Sequence, residues 1–171
     1  MIGLFAAWFS SGDPTLSEAS ARDAAAISAL HGKSFQRGWS EHEVEGLLTE
    51  RNVIAHRAVA GRRLAGFILS RIAADEAEIL SVAVARAFRG RGLGRHLLTL
   101  HLRHLAGLGI KVAFLEVGET NDAAGKLYAR AGFREVSRRA NYYGGTPGRG
   151  PTAVVLRRDL VQATSSPGAA G

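Results

Sequence analysis

Hydrophobic positions in the first half of the chain recur at two different spacings. Runs of alternating apolar residues predict strands, whereas apolar residues three and four positions apart predict helices. The segment Ser40–Glu43 is a capping box, which marks the start of a helix whose buried face includes Val44 and Leu47. In order, the pattern predicts a strand at 15–19, a helix at 23–33, the helix that begins at Ser40, and an antiparallel hairpin of strands at 53–60 and 64–72.

The second half of the chain predicts further strands and helices in alternation. Residues 79–84 carry apolar side chains on both faces, which is typical of a central strand covered on both sides. After a glycine-rich loop, leucines recur at helical spacing until Gly107 and Gly109 end the helix. The remaining predicted elements are a strand at 112–117, a short helix capped by Asn121 or Thr120 that stops at Gly132, and closing strands at 133–137 and 152–157 joined by a hairpin loop at 144–151.

The length and composition fit a single domain. The chain has 171 residues, of which 46% are hydrophobic, enough for one sizeable core. We expect this domain at residues 14–160, with an N-terminal extension at 1–13 and a disordered tail at 161–171. The apolar opening lacks the basic region and cleavage pattern of a signal peptide, and no stretch approaches the roughly 20 apolar residues of a membrane span. We therefore expect a cytoplasmic protein without a membrane partner.

The charge of the chain favours anionic partners. Its formal net charge is +7, and 19 of its 22 basic residues are arginine. Because the planar guanidinium group suits phosphate, a phosphorylated cofactor and an RNA-rich neighbourhood both fit, and so does a purely compositional preference for arginine. No aromatic-interleaved RNA motif accompanies the paired arginines, so we predict no specific nucleic acid partner.

The supply of reactive side chains narrows the chemistry. The chain has no cysteine, which excludes disulfides, thiolate zinc sites and a cysteine nucleophile. His96, His101 and His104 are separated by five and three positions, so they do not all share one helical face, and no carboxylate pattern completes a metal site. We interpret these three histidines as surface residues of the helix and predict no metal.

The loop Arg89–Arg95 between a strand and a helix carries the most informative pattern. Glycines at alternate positions let an anion approach the unpaired N–H groups of a helix N-terminus, although a glycine-rich turn without a ligand is the alternative. A P-loop needs Lys-Ser or Lys-Thr after the glycines, and none follows here. The dinucleotide fingerprint also fails, since it requires its third glycine where the chain has Arg95 or Leu97.

Arg89, Gly92 and Gly94 match [RQ]-x-x-G-x-[GA], the coenzyme A loop of the GNAT superfamily of N-acetyltransferases. The order of elements from about Pro14 to Asp159 resembles that family, which implies an α/β (α+β) fold with a mixed, twisted sheet and helices on both faces. Within the family, the chain resembles the ribosomal-protein-alanine N-acetyltransferases, the RimI branch. The pieces that carry this resemblance are Trp39-Ser40-Glu41, Leu115-Glu116-Val117, Asn121-x-x-Ala124, Leu127-Tyr128-x-x-x-Gly132-Phe133 and Arg139-x-x-Tyr142-Tyr143.

The resemblance implies acetyl-CoA as co-substrate, Glu116 as general base and Tyr128 as general acid. These residue types suit the chemistry, because an α-amino group with a pKa of roughly 7.7–8.0 must lose its proton and the departing thiolate needs a proton donor. Without a cysteine, we expect direct transfer in a ternary complex. The resemblance implies these cofactor-binding residues: Val82, Ala83 and Val84 for the pantetheine and thioester, Arg89, Gly90, Arg91, Gly92, Leu93, Gly94 and Arg95 for the pyrophosphate, and Asn121.

The implied acceptor is the N-terminal α-amine of a protein, namely the N-terminal alanine of a small-subunit ribosomal protein. Residues 35–39 and the loop 142–150 are expected to line its groove. Two alternatives stay open: a small-molecule amine as acceptor, and a non-catalytic basic module that binds RNA or the ribosome. From residue types alone, Glu116 also fits a solvated strand end, and Tyr128 fits a core aromatic.

Overall fold

The computed structural model describes residues 12–140 and 152–160, which form one seven-stranded mixed sheet flanked by four α-helices. The sheet order is β1-β2-β3-β4-β5-β7-β6. The strands are β1 (Thr15–Glu18), β2 (Val53–Ala60), β3 (Arg63–Ala73), β4 (Glu76–Val84), β5 (Val112–Gly118), β6 (Arg134–Ala140) and β7 (Thr152–Asp159). The helices are α1 (Ala24–Ser34), α2 (Glu41–Thr49), α3 (Leu93–Gly107) and α4 (Asp122–Arg130), with short 3-10 turns at Ala21–Asp23 and Arg86–Phe88.

The predicted mixed sheet with helices on both faces is confirmed, and its elements differ from the prediction mainly at their ends. The capping box at the start of α2 has both of its hydrogen bonds: the Ser40 amide donates to the Glu43 carboxylate at 2.7 Å, and the Glu43 amide donates to the Ser40 hydroxyl at 3.2 Å. Strand β4 begins at Glu76, three residues before the predicted start. Buried Ala77 alternates there with exposed carboxylates, the pattern of a half-buried strand.

Two hydrophobic cores lie on opposite faces of the sheet. On one face α3 and α4 bury Leu97, Leu105 and Tyr128 against the inner strands, including Ile79 and Leu115. On the other face α1 and α2 bury Ile27 and Val44 against Phe67 and Leu69 of β3. Because side chains alternate along a strand, neighbouring residues of the central strands serve different cores. The two faces of the sheet therefore carry different sets of side chains.

The interpretation of His101 as a surface residue is wrong. His101 is 0% exposed, whereas His96 is exposed and His104 is partly exposed. Its position four residues after Leu97 and four before Leu105 places it on the buried stripe of α3. Burial lowers the pKa of His101 to about 3, so the imidazole is neutral near pH 7.

Four of the sequence predictions lie wholly or largely outside the described residues. They are the N-terminal extension at 1–13, the hairpin loop at 144–151, the acceptor-groove role of residues 142–150 and the tail at 161–171. Within residues 12–140 and 152–160, no helix is both long and apolar enough to span a membrane.

Candidate active site

Strands β4 and β5 pair over half of their length and then separate. Their parallel register runs from Glu76 opposite Val112 to Ile79 opposite Leu115. The pairing of β4 with β3 jumps from Ile79 to Ser81, so Leu80 is a bulged residue at the point where β5 is lost. Because a bulge bends its strand, it turns the second half of β4 away from β5. A gap opens through the sheet at this point.

The edge of β4 that faces the gap is available to a ligand. Val82 and Val84 keep their partners in β3, Ile68 and Gly66, on the other edge of the strand. Strand backbone carries hydrogen-bonding groups on both edges, so the free edge offers N–H and C=O groups to an extended, amide-containing molecule. The contact of residues 82–84 with pantetheine stays a prediction, and it would use this edge.

The predicted phosphate loop connects this edge to the N-terminus of α3. Gly90 and Gly92 have φ values of +75° and +79°, in the left-handed region that other residues adopt at a cost. Gly92 is the N-cap, and no side chain caps the helix. The first N–H groups of α3 are thus free to bind an anion at the positive end of the helix dipole. Arg89 ties the loop to β4 by donating from Nε to the Val84 carbonyl at 2.9 Å.

A cavity of about 540 Å³ lies between this loop and α4. The loop and the end of β4 form one wall, and Ala124 and Leu127 of α4 form part of the other. Four basic residues, Arg89, Arg95, Lys126 and Arg130, line the same cavity and add positive charge around it. The structure thus brings most of the predicted cofactor-binding residues around one space on the α3 and α4 face of the sheet.

Asn121 lies beside this cavity and has a structural role of its own. It is the N-cap of α4, and its side-chain oxygen accepts a hydrogen bond from the Ala124 amide at 3.2 Å. Asn121 belongs to the lining of a neighbouring cleft that also contains Val117 and Gly118. It therefore positions the α4 wall of the larger cavity.

Glu116 lies on the opposite face of the sheet, one residue beyond the last β4–β5 pair. Phe114 and Glu116 alternate with Ala113 and Leu115, which are buried under α3 and α4. The Glu116 side chain is 47% exposed, and its carboxylate is 3.5 Å from the Arg139 guanidinium. It lines an open cleft of about 310 Å³ whose other walls come from β3, β4, β6 and β7.

Tyr128 lies on the cofactor face, within the larger core. It is 7% exposed, and its ring contacts Phe133 edge to face at a centroid distance of 5.7 Å. Burial raises the pKa of Tyr128 to about 12, so the phenol keeps its proton at neutral pH. Glu116 and Tyr128 are therefore not neighbours on one surface. They lie on opposite faces of the sheet.

Two residues along the second half of β4 and its partner strand β3 were missed by the sequence reasoning. Ser81, next to the bulge, is 6% exposed, and its hydroxyl has no hydrogen-bond partner within the described structure. A serine inside an otherwise apolar strand is the signal that could have drawn attention to it. Gly66 of β3 is the second: an added Cβ would lie 2.9 Å from the Ala83 carbonyl oxygen and 2.9 Å from Leu97. A glycine inside a strand often marks such a close approach.

Residues 35–40, which connect α1 and α2, are held against α1 by hydrogen bonds to Trp39. The Trp39 amide donates to His31 Nδ1 at 3.1 Å, and the Ser28 hydroxyl donates to the Trp39 carbonyl at 2.8 Å. The two rings of His31 and Trp39 stack with centroids 4.1 Å apart. Trp39 packs against the core that contains Ile27, while Phe35 is 40% exposed. The predicted acceptor segment at 35–39 is thus a fixed part of this face.

Comparison with known proteins places these features in one family. The model of the Acetyltransferase (GNAT) family matches residues 24–133. The ribosomal protein bS18-alanine N-acetyltransferase of Salmonella typhimurium is 35% identical over 129 residues, which cover 75% of this chain and 86% of that protein. The crystal structure of the ribosomal-protein-S18-alanine N-acetyltransferase from Escherichia coli matches with a TM-score of 0.79 at 27% identity, covering 90% of this chain and 97% of that one.

A more distant structure has the same fold. Arabidopsis thaliana NAA60 in complex with acetyl-CoA matches with a TM-score of 0.74 at 18% identity, covering 86% of this chain and 98% of that one. The separated strands, the glycine loop and the family match agree with one another. The chain belongs to the GNAT family of acetyltransferases and is an acetyl-CoA-dependent N-acetyltransferase.

Proposed function

We propose that this enzyme transfers the acetyl group of acetyl-CoA to the α-amine of a protein N-terminus, namely the N-terminal alanine of a small-subunit ribosomal protein. The gap between β4 and β5 is the observation that carries the proposal. Val84, beyond the last β4–β5 pair, lines a basic cavity on one face of the sheet, and Glu116, at the same end of the pairing, lines an open cleft on the other face. Two substrates can thus meet there from opposite sides.

The residues on the α3 and α4 face suit acetyl-CoA. The free N–H groups at the start of α3, together with Arg89 and Arg95, fit a pyrophosphate, and the open edge of residues 82–84 fits the amides of pantetheine. A molecule bound along this path reaches the gap beside the bulged Leu80. The acetyl group would then lie within reach of the other face.

Glu116 is suited to accept the proton of the attacking amine. Its carboxylate stands at the acceptor side of the gap and is open to solvent, so it can act directly or through one water molecule. The amine nitrogen forms a bond to the thioester carbonyl carbon, and the bond from that carbon to sulfur then breaks. The proton removed from the amine passes to Glu116 or to solvent.

Tyr128 is suited to donate a proton to the departing sulfur. Its raised pKa keeps the phenol protonated, and its place in the α3 and α4 core puts it on the cofactor side. The proton that Tyr128 loses is replaced from solvent after product release. Assigning base and acid to different faces keeps the two proton transfers separate.

The acceptor is inferred from the shape of the cleft and from the relatives. The cleft around Glu116 is open rather than enclosed, which suits an extended peptide better than a small molecule. The Salmonella and Escherichia proteins named above are ribosomal protein S18-alanine N-acetyltransferases by name. A protein N-terminus of that kind is therefore the acceptor we propose.

A peptide panel tests the proposal. Peptides that begin with Ala, Ser, Met or Gly are incubated with acetyl-CoA and enzyme, and mass spectrometry locates any added acetyl group. We expect acetylation at the α-amine, fastest for the Ala peptide, and none on a control with a blocked N-terminus and an internal lysine. If the enzyme consumes acetyl-CoA with a small amine but modifies no peptide α-amine, the acceptor assignment is wrong.

A further inference from the structure

A histidine and carboxylate cluster lies between β1, β2 and α3, separated from β4 by strand β3. Glu18 and His56 are direct partners in the antiparallel β1–β2 pair, so their side chains project together from one face. His104 approaches from the last turn of α3, and its Nδ1 is 3.8 Å from a Glu18 carboxylate oxygen. One candidate ligand atom from each of the three residues lies within 4.8 Å of the other two.

Hydrogen bonds behind the cluster determine which nitrogen of His56 is free. His56 Nδ1 is 2.8 Å from His101 Nδ1, and His101 Nε2 is 2.6 Å from the Ser70 hydroxyl. If His56 donates from Nδ1 to His101, then His101 donates from Nε2 to Ser70. Every ring nitrogen of His56 and His101 then has a hydrogen-bond partner except His56 Nε2. Metal-binding histidines are usually oriented by such a bond from the second nitrogen. The three residues linked by these hydrogen bonds, His56, His101 and Ser70, are all buried.

The cluster has both a fixed side and an open side. His56 is 2% exposed, whereas the side chains of His104 and Glu18 are 32% and 73% exposed. An ion can therefore enter from the Glu18 side and keep a water molecule as its fourth ligand. Two imidazole nitrogens and one carboxylate oxygen suit zinc, while calcium and magnesium prefer oxygen ligands throughout.

We propose that Glu18, His56 and His104 bind one divalent transition-metal ion of the zinc type. The prediction of no metal considered only the histidines of α3, and the structure adds one ligand from each of β1 and β2. The ion would join the edge strand β1 to the end of α3. Because β3 separates the cluster from β4, the expected role is structural, with no part in acetyl transfer.

Metal titration of the full-length protein without a histidine tag tests this site. After chelator treatment and dialysis, zinc is titrated by calorimetry, and cobalt is titrated by visible absorption as a reporter of tetrahedral coordination. We expect one equivalent of each metal, a cobalt absorption band, and a rise in Tm with zinc. Since the chain has no cysteine and six histidines, competing sites are few.

Variants at the open side separate the proposed site from accidental binding. E18Q and H104A should each lower zinc affinity by about 100-fold, and S70A by about 10-fold through the buried chain. H96A, on the same helix but outside the cluster, should bind as the wild type does. Circular dichroism checks that each variant is folded. The proposal fails if the wild type shows no binding heat and no cobalt band, or if E18Q and H104A both retain wild-type affinity.

Discussion

The first half of β4, residues 76–79, pairs with β5, whereas the second half, residues 81–84, leaves it. The first half alternates buried Ala77 and Ile79 with exposed carboxylates, the second half is mostly apolar, and both keep their pairing with β3. The difference comes from the bulge at Leu80, which bends the strand after four paired residues. The paired half buries Ala77 and Ile79 in the core, while the open half offers backbone to a ligand. One strand thus supplies stability at one end and a binding edge at the other.

The largest effect is expected for E116Q, which removes the proposed base where the open half begins. The amide keeps the size of the side chain but cannot accept the proton, so kcat should fall by about 10³-fold. The Kd for acetyl-CoA should change little, because Glu116 lies on the other face. E78Q is the matched control, since Glu78 lines the same cleft from the paired half. If E116Q and E78Q lowered kcat equally, the negative charge of the cleft would matter and the position of Glu116 would not, which would contradict its assignment as the base.

The next largest effect is expected for I79A, in the paired half. Ile79 is 4% exposed and is the last residue of β4 opposite β5. The cavity left behind should lower the free energy of unfolding by about 2–5 kcal/mol, measured by urea denaturation. V82A, at a half-buried position of the open half, should cost clearly less. Similar losses in the two variants would remove the distinction between the halves.

A smaller effect is expected for Y128F. Loss of the phenol should lower kcat by about 10²-fold while Tm and acetyl-CoA affinity stay near wild type. Burial raises the pKa of Tyr128 to about 12, so the neutral, proton-donating form persists as pH rises. The wild-type kcat should therefore show no loss of this acid between pH 7 and about 10. A wild-type decline in that range that is absent from Y128F would contradict the assignment.

The smallest effect is expected for G92V, in the loop that follows the open half. A side chain at a φ of +79° costs about 1–2 kcal/mol and obstructs the anion site, so the Kd for acetyl-CoA should rise by about 10-fold. G61V is the control, because Gly61 has a φ of +61° in the distant β2–β3 turn. It should lose stability without losing cofactor affinity. An unchanged Kd in G92V would remove the loop from the binding site.

Local patterns were sufficient to predict most of the elements. The capping box at Ser40 and the glycines at 90–94 depend on residues within one turn of each other, so the sequence indicates them directly. The mixed sheet and the coenzyme A loop followed from the order of elements and from the family resemblance. The assignments of Glu116 and Tyr128 came from the same resemblance and stay predictions.

Features that depend on residues far apart in the chain could not be predicted. Residues 79–84 are apolar except for Ser81, so nothing in that run indicates that Leu80 is bulged or that β5 departs there. The burial of His101 depends on His56 and Ser70, which are 45 and 31 positions away. Similarly, Glu116 and Tyr128 lie on opposite faces because the side of β5 that carries Ala113 and Leu115 packs in the same core as Tyr128. Glu116 alternates with these residues and points to the other side. These relations are set by strand register.

A crystal structure with a bisubstrate compound, coenzyme A joined to the α-amine of an alanine-initiated peptide, tests the central claim most directly. We predict the pyrophosphate at residues 90–95, the pantetheine along residues 82–84 and the peptide in the Glu116 cleft, with the linkage passing between β4 and β5. The former α-nitrogen should lie within direct or single-water hydrogen-bond reach of Glu116. Coenzyme A and peptide bound on the same face of the sheet would contradict the account.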